Sequence, residues 1–183
     1  YKFDILGITE THLNGVSEKL ASLGDYEWAA NSRKAKAWGG VAVYLKPGLN
    51  FKRRKDMDIF EEGVFESVFV EISDKGGGFI VGVIYRPPNS DLALFFKHLG
   101  KVLEEVKDKR CYLMGDFNLD LIKSSEHSVT GDFLGLLNNV GLHYLISLPS
   151  RITPKSATLI DNIFSSDIDM DVSSGLILSL IHI

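Results

Sequence analysis

The chain has one cysteine, Cys111, among 183 residues, so no internal disulfide can form. Disulfide-stapled secreted scaffolds and thiolate-held zinc modules are thereby excluded. There are five prolines, too few for a collagen-like or polyproline chain. No apolar run reaches the ~18 residues that a membrane-spanning helix needs. No basic segment followed by an apolar one opens the sequence. No membrane partner is therefore expected. Positive charge is not in excess either. Lys and Arg total 20 against 24 Asp and Glu, a net −4, with a pI near 5.7. That balance advertises no general nucleic-acid coat. Basic residues do gather locally, in "SRKAK" (32–36) and "FKRRK" (51–55). Either could touch phosphates; the plainer reading is a solvated loop or an edge strand.

Several catalytic signatures are also missing. There is no His-x-x-x-His pair, no serine-hydrolase elbow and no P-loop. "KGGGF" (75–79) lacks the Lys-Ser/Thr and the helix of a phosphate-cradling loop, so it reads as a hairpin turn.

What is present is a set of short apolar runs. The chain is 45% hydrophobic, enough for one domain with a sizeable core. Strands are predicted at 3–9, 39–46, 64–72, 77–85, 111–115, 158–166 and 173–179. The near-continuous runs "GGFIVGVIY" and "CYLMG" suit central strands. Helical spacing appears over 90–108, with Ser90 as its cap, and over 129–141. Strands dominate, so an α+β or layered α/β/β/α domain is expected, sheet on sheet with helices outside.

Polar residues interrupt four of these runs. They are Glu10 in "GITETH", Tyr85 and Arg86 in "VIYRPPN", Asp116 and Asn118 in "GDFNLD", and Asp161 in "LIDNIF". If the strand continues to 118, Asp116 and Asn118 share a face while Phe117 and Leu119 point to a core. Such a pair suits chemistry at a phosphate. The Asp can orient or deprotonate a water. The Asn can fix the attacking oxygen or the phosphate by hydrogen bonding. Carboxylates repel phosphate, so a cation must stand between them. Hard oxygen donors without His/Cys spacing select Mg²⁺ (or Mn²⁺), and Glu10 is a candidate ligand. Each residue has a plainer alternative: a turn or cap for Glu10, a surface Arg at a strand end for Arg86, an Asx turn for "GDFN". For Asp161 it is a bond to nearby backbone N–H groups.

Taken in order, "TETHL", "GGVAVYL", "VIYRPPN", "GDFNLD" and "RITPKSATLIDNIF" resemble the endonuclease/exonuclease/phosphatase family. More narrowly, they are similar to the apurinic-type endonuclease domain of non-LTR (LINE-type) retrotransposons. The resemblance runs from about residue 3 to residue 175. It implies a DNase I-like four-layered α/β/β/α sandwich and Mg²⁺-dependent hydrolysis of a DNA phosphodiester. Glu10 then corresponds to the metal ligand. Tyr85 corresponds to the phenol that hydrogen-bonds the scissile phosphate, with Arg86 beside it in substrate binding. Asp116 corresponds to the residue that activates water, Asn118 to the one that positions it, and Asp161 to an acid that orients the site or assists the leaving group. In the retrotransposon setting the nick primes reverse transcription. A reverse transcriptase domain would follow C-terminally, and the location would be nuclear or intracellular.

Two departures from the family pattern stand out. Its first strand, ending in a metal-site Asn, has no counterpart here, and its final Ser-Asp-His motif is replaced by "GLILSLIHI". His182 is not preceded by Asp, so no role is carried to it. The last residues, "LSLIHI", match the translation of a transposase mosaic-end adapter. The expectation is a domain fragment over 1–177 and a non-native tail over 178–183. Three other readings stay open: a phosphoesterase of the same family on a lipid or nucleotide, a catalytically dead DNA-binding relic, and an unrelated sandwich with scattered acids.

Overall fold

The structure is a computed structural model that describes residues 3–14, 21–33, 38–167 and 174–175. Most of the strand expected at 173–179, all of the tail at 178–183 and positions 34–36 of the first basic run lie outside these residues. No helix among the described residues is long and apolar enough to cross a membrane.

Two β-sheets and two helices carry the core. The smaller sheet contains β1 (Ile5–Thr9), β2 (Glu27–Asn31) and β3 (Val41–Leu45), in the order β1-β3-β2. The larger sheet is built on β6 (Phe65–Ile72), β7 (Phe79–Tyr85), β8 (Cys111–Asp116) and β12 (Asp161–Ser165). Its edges are β4 (Phe51–Arg53) and β9 (His143–Tyr144), with β5 (Phe60–Glu61) also paired to β6. A separate hairpin joins β10 (Arg151–Thr153) to β11 (Ser156–Thr158). The glycine-rich 75–79 segment is the β6–β7 turn, as its sequence suggested.

The register explains where the apolar residues go. Val68, Val70 and Ile72 of β6 and Val81 and Val83 of β7 pack against Val41, Val43 and Leu45 of β3. Their neighbours of opposite parity, Phe65, Phe69, Ile80 and Ile84, face the helices. A strand buried on both faces cannot show a clean polar alternation. Helices thus cover the outer face of the larger sheet. A matching layer over the outer face of the smaller sheet is not among the described residues.

β7 and β8 are parallel, so the chain must cross over between them. Helix α1 (Leu92–Val106) is that crossover. Its buried Phe95, Leu99, Val102, Leu103 and Val106 form one stripe, each worth roughly 1.5–3 kcal/mol of transfer free energy. The cap is Asp91 rather than Ser90. The Asp91 carboxylate accepts from Leu94 N–H at 2.9 Å, and the Ser90 hydroxyl is taken by Arg86. Helix α2 (Ser128–Asn138) buries Phe133 against Phe95, Phe117 and Phe164.

The second basic run opens with β4, an edge strand, and its two arginines are paired locally. Arg53 pairs with Asp58, and Arg54 with Asp56 and Glu71. Cys111 is fully buried at the start of β8, and burial pushes its thiol up to about 12.

Candidate active site

Three register pairs align four residues from four strands. Glu66 of β6 pairs with Tyr85 of β7. Tyr85 pairs with Asp116 of β8, and Asp116 with Asp161 of β12. Paired residues in adjacent strands share a face. Here that face is the inner one, since Val68, Val83 and Met114 have the same parity and pack between the sheets. Beside the row lies a cleft of about 340 Å³, lined by Gly7, Thr9, Val83, Met114 and Asp161 among others.

The smaller sheet contributes Glu10 at the end of β1. Its φ is 52°, an uncommon conformation for a non-glycine residue. The Glu10 carboxylate accepts a hydrogen bond from the Tyr85 hydroxyl at 2.7 Å. That contact ties the two sheets together at the site.

At the end of β8 the chain turns sharply. Gly115 has φ 147°, and a Cβ there would lie 1.8 Å from the Ile84 carbonyl oxygen. Only glycine lets β8 come so close to β7 just before Asp116. The strand stops at Asp116, so the condition for a shared face, continuation to 118, is not met. Asn118 instead adopts φ 49°. Its N–H donates to Asp116 Oδ1 at 2.9 Å, and its side-chain amide donates to the Arg86 carbonyl at 2.8 Å. Asp116 and Asn118 therefore meet through an Asx turn rather than by strand alternation. Phe117 and Leu119 do point into the core. Phe117 is wedged between Phe133 and Phe164, with ring centroids 5.2 and 5.3 Å away.

Arg86 sits beneath this turn, not on the site's surface. It is 5% exposed. Its guanidinium donates to the carbonyls of Phe117 and Asn118, both at 2.6 Å, and to the Ser90 hydroxyl at 2.8 Å. The Phe95 ring covers it at 5.6 Å. Three of its donors are thus engaged by the Phe117 and Asn118 carbonyls and by Ser90.

Asp161 is partly buried and takes a side-chain partner. Ser150 Oγ donates to it at 2.8 Å and accepts from the N–H groups of Ile160 and Asp161. Sequence reasoning did not find Ser150.

It also missed Glu66 and Arg33. Glu66 is fully buried. Arg33 Nε donates to it at 2.7 Å and Arg33 Nη2 also contacts it. Gly40 N–H donates to its other oxygen at 2.6 Å. Arg33 thus leaves the solvated loop that its basic run suggested. The available signal was parity: Glu66 occupies the same face of β6 as Val68, Val70 and Ile72.

The site is electrostatically loaded. Burial, then Asp161 opposite, pushes the Asp116 carboxyl up to about 6, against the bond from Asn118 N–H; Glu10 adds to the rise and Arg86 opposes it. Burial and Glu10 hold the Tyr85 phenol well above its usual range, so it stays a donor at neutral pH. Among the described residues no three His, Cys, Asp or Glu side chains close on one point to cage a metal. Mg²⁺ needs only one or two protein carboxylates and keeps several waters. Exposed Glu10 and buried Asp116, whose carboxyl is raised by burial and by its acidic neighbours, offer hard oxygens of that kind.

The sequence model of the Endonuclease/Exonuclease/phosphatase family matches residues 1–182. No curated protein matches the chain. Among solved structures, the endonuclease domain of TRAS1, a telomere-specific non-LTR retrotransposon, is similar with TM-score 0.71 and 15% identity, covering 90% of this chain and 72% of that one. D. rerio TDP2 complexed with single-strand DNA product gives TM-score 0.60 at 13% identity, over 88% and 70%. The human Nocturnin catalytic domain with bound sulfate gives 0.57 at 16%, over 90% and 69%. At such identities the likeness establishes the fold.

Proposed function

Because this chain belongs to the endonuclease/exonuclease/phosphatase family, whose members are metal-dependent phosphodiester hydrolases, we propose that it cleaves a phosphodiester bond of DNA. The observation that carries the reading is the row Tyr85–Asp116–Asp161, closed by the Tyr85–Glu10 hydrogen bond. A tyrosine, two aspartates and a glutamate come from four distant segments, and Asp161 lines the cleft beside them.

Glu10 would hold Mg²⁺ (or Mn²⁺), which polarises a phosphoryl oxygen and stabilises the leaving oxygen. Asp116 takes a proton from the attacking water once it is itself ionised. The Asn118 amide, fixed by the Arg86 carbonyl, positions that water. Tyr85, kept protonated, would turn its one O–H from Glu10 to a phosphate oxygen when substrate binds. Asp161, aligned by Ser150, orients the site and assists departure of the leaving group. Arg86 is a positioning residue that holds the 116–118 turn. In its genomic setting, the nick would supply a 3′-hydroxyl for priming reverse transcription. A C-terminal reverse transcriptase and a nuclear or intracellular location belong to the same proposal. The family-like domain over 1–177 and a foreign tail over 178–183 remain part of it too.

The test is nicking of supercoiled plasmid with and without Mg²⁺, wild type against Asp116→Asn. Nicking that needs both Mg²⁺ and Asp116 is the expected result. DNA retention without nicking would make the chain a binding relic. Turnover of small phosphoesters with plasmid untouched would move the substrate away from DNA.

A further inference from the structure

We propose that Trp38 and His12 form a stacking platform for one unpaired nucleobase, set on the lip of the site beside Glu10. The class of ligand rests on the phosphodiesterase reading above; the platform itself rests on geometry. Trp38 is 69% exposed, the most exposed of the large apolar residues described. The His12 ring packs against it edge to face, with centroids 5.1 Å apart and planes at 65°.

The support behind the pair is fixed. His12 N–H donates to the Gly39 carbonyl at 2.8 Å and Thr11 N–H to the Gly40 carbonyl at 3.2 Å. Gly40 N–H in turn donates to fully buried Glu66. A Cβ on Gly39 would come within 2.7 Å of the Arg33 guanidinium. The loop carrying Trp38 is therefore anchored to the buried Arg33–Glu66 pair, and the segment carrying His12 is anchored to that loop. A ring held this way loses little freedom when a ligand stacks on it.

Position gives the ligand. His12 follows Glu10 by two residues, so their Cα atoms lie within about 7 Å, roughly two nucleotide rises. A strand with its phosphate at Glu10 and Asp116 would pass the indole within a nucleotide or two of the reacting bond. Bases inside a duplex are covered on both faces. Only an unpaired or splayed base can use an aromatic platform.

The experiment is binding in the Asp116→Asn background with Mg²⁺, so that no turnover intervenes. The probes are oligothymidylate and an abasic oligomer of equal length. Trp38→Ala is expected to weaken oligothymidylate binding about 5- to 150-fold. Trp38→Phe should retain most of the affinity, and the abasic oligomer should bind all three proteins alike. With Trp28→Phe, the remaining indole should be quenched by oligothymidylate and not by the abasic strand. Unchanged oligothymidylate binding by Trp38→Ala would overturn the proposal. So would equal loss on both probes, which would mean that the indole only shapes its loop. Plasmid nicking judges the hydrolase reading separately: base-dependent quenching by a protein that never nicks would keep the platform and remove the enzyme.

Discussion

Asp116 and Asp161 stand directly opposite each other across the antiparallel β8–β12 pair. Like charges so placed oppose folding. The arrangement persists because each carboxylate has its own partner, Asn118 N–H for Asp116 and Ser150 Oγ for Asp161. It remains a cost to the fold, and the cost is measurable.

For Asp116 the carboxyl rises from an ordinary 3.8 to about 6 on folding. The stability linked to it is fully present below pH 3.8 and is lost as pH rises through 6. A shift of about two units corresponds to at most ~3 kcal/mol. Asp116→Asn should therefore be more stable than wild type by about 1–3 kcal/mol above pH 6, and equal to it below about pH 4. Hydrolysis should fall about 100- to 10,000-fold. Urea unfolding across pH 3.5–8 checks the first claim. A wild type that gains on Asp116→Asn at every pH would overturn it.

Tyr85→Phe removes the hydroxyl that Glu10 accepts. Glu10 is exposed, so water can replace the lost donor. The expected stability loss is only about 0.5–1.5 kcal/mol. Hydrolysis should suffer more, by about 100- to 1000-fold, because a donor to the phosphate is gone. Equal, small effects on both quantities would place Tyr85 outside the chemistry.

Glu66 and Arg33 behave as a buried pair. Arg33→Ala leaves a carboxylate with no counter-ion in a dry interior, an expected loss of about 3–5 kcal/mol. Adding Glu66→Gln should recover part of it, because the orphaned charge disappears. Thermal unfolding of the single and double variants decides this.

Gly115→Ala places a methyl where the Ile84 carbonyl already lies. The expected loss exceeds ~3 kcal/mol. Hydrogen exchange should show it first along β7 and β8. Gly100 lies within α1 with open space around the Cβ position. Gly100→Ala should instead stabilise by about 0.5–1 kcal/mol and is the control.

Much of this was legible from residues alone. Each of Glu10, Tyr85, Asp116 and Asp161 ended or broke an apolar run, and burying a polar group there demands a reason. The central strands were visible because β6, β7 and β8 are long enough to show a pattern. β5 and β9 have two residues each, and no period can be read from two. Ser90 and Asp91 are adjacent residues that can both cap, so sequence could not decide between them. Arg33 looked solvated because its partner lies 33 positions away. That Arg86 is held inward by the turn at Asn118 could not be read from its place after Tyr85. Turn geometry set by a non-glycine residue at positive φ leaves little trace in sequence.

The Tyr85–Glu10 contact spans 75 positions, and the row is complete only when β12 docks on β8. On the ribosome, Tyr85 is made roughly 4–15 s before Asp161 at ordinary elongation rates. A nascent chain of any intermediate length holds isolated acids and no assembled centre. Any chemistry that needs the whole row must wait until β12 has emerged and docked.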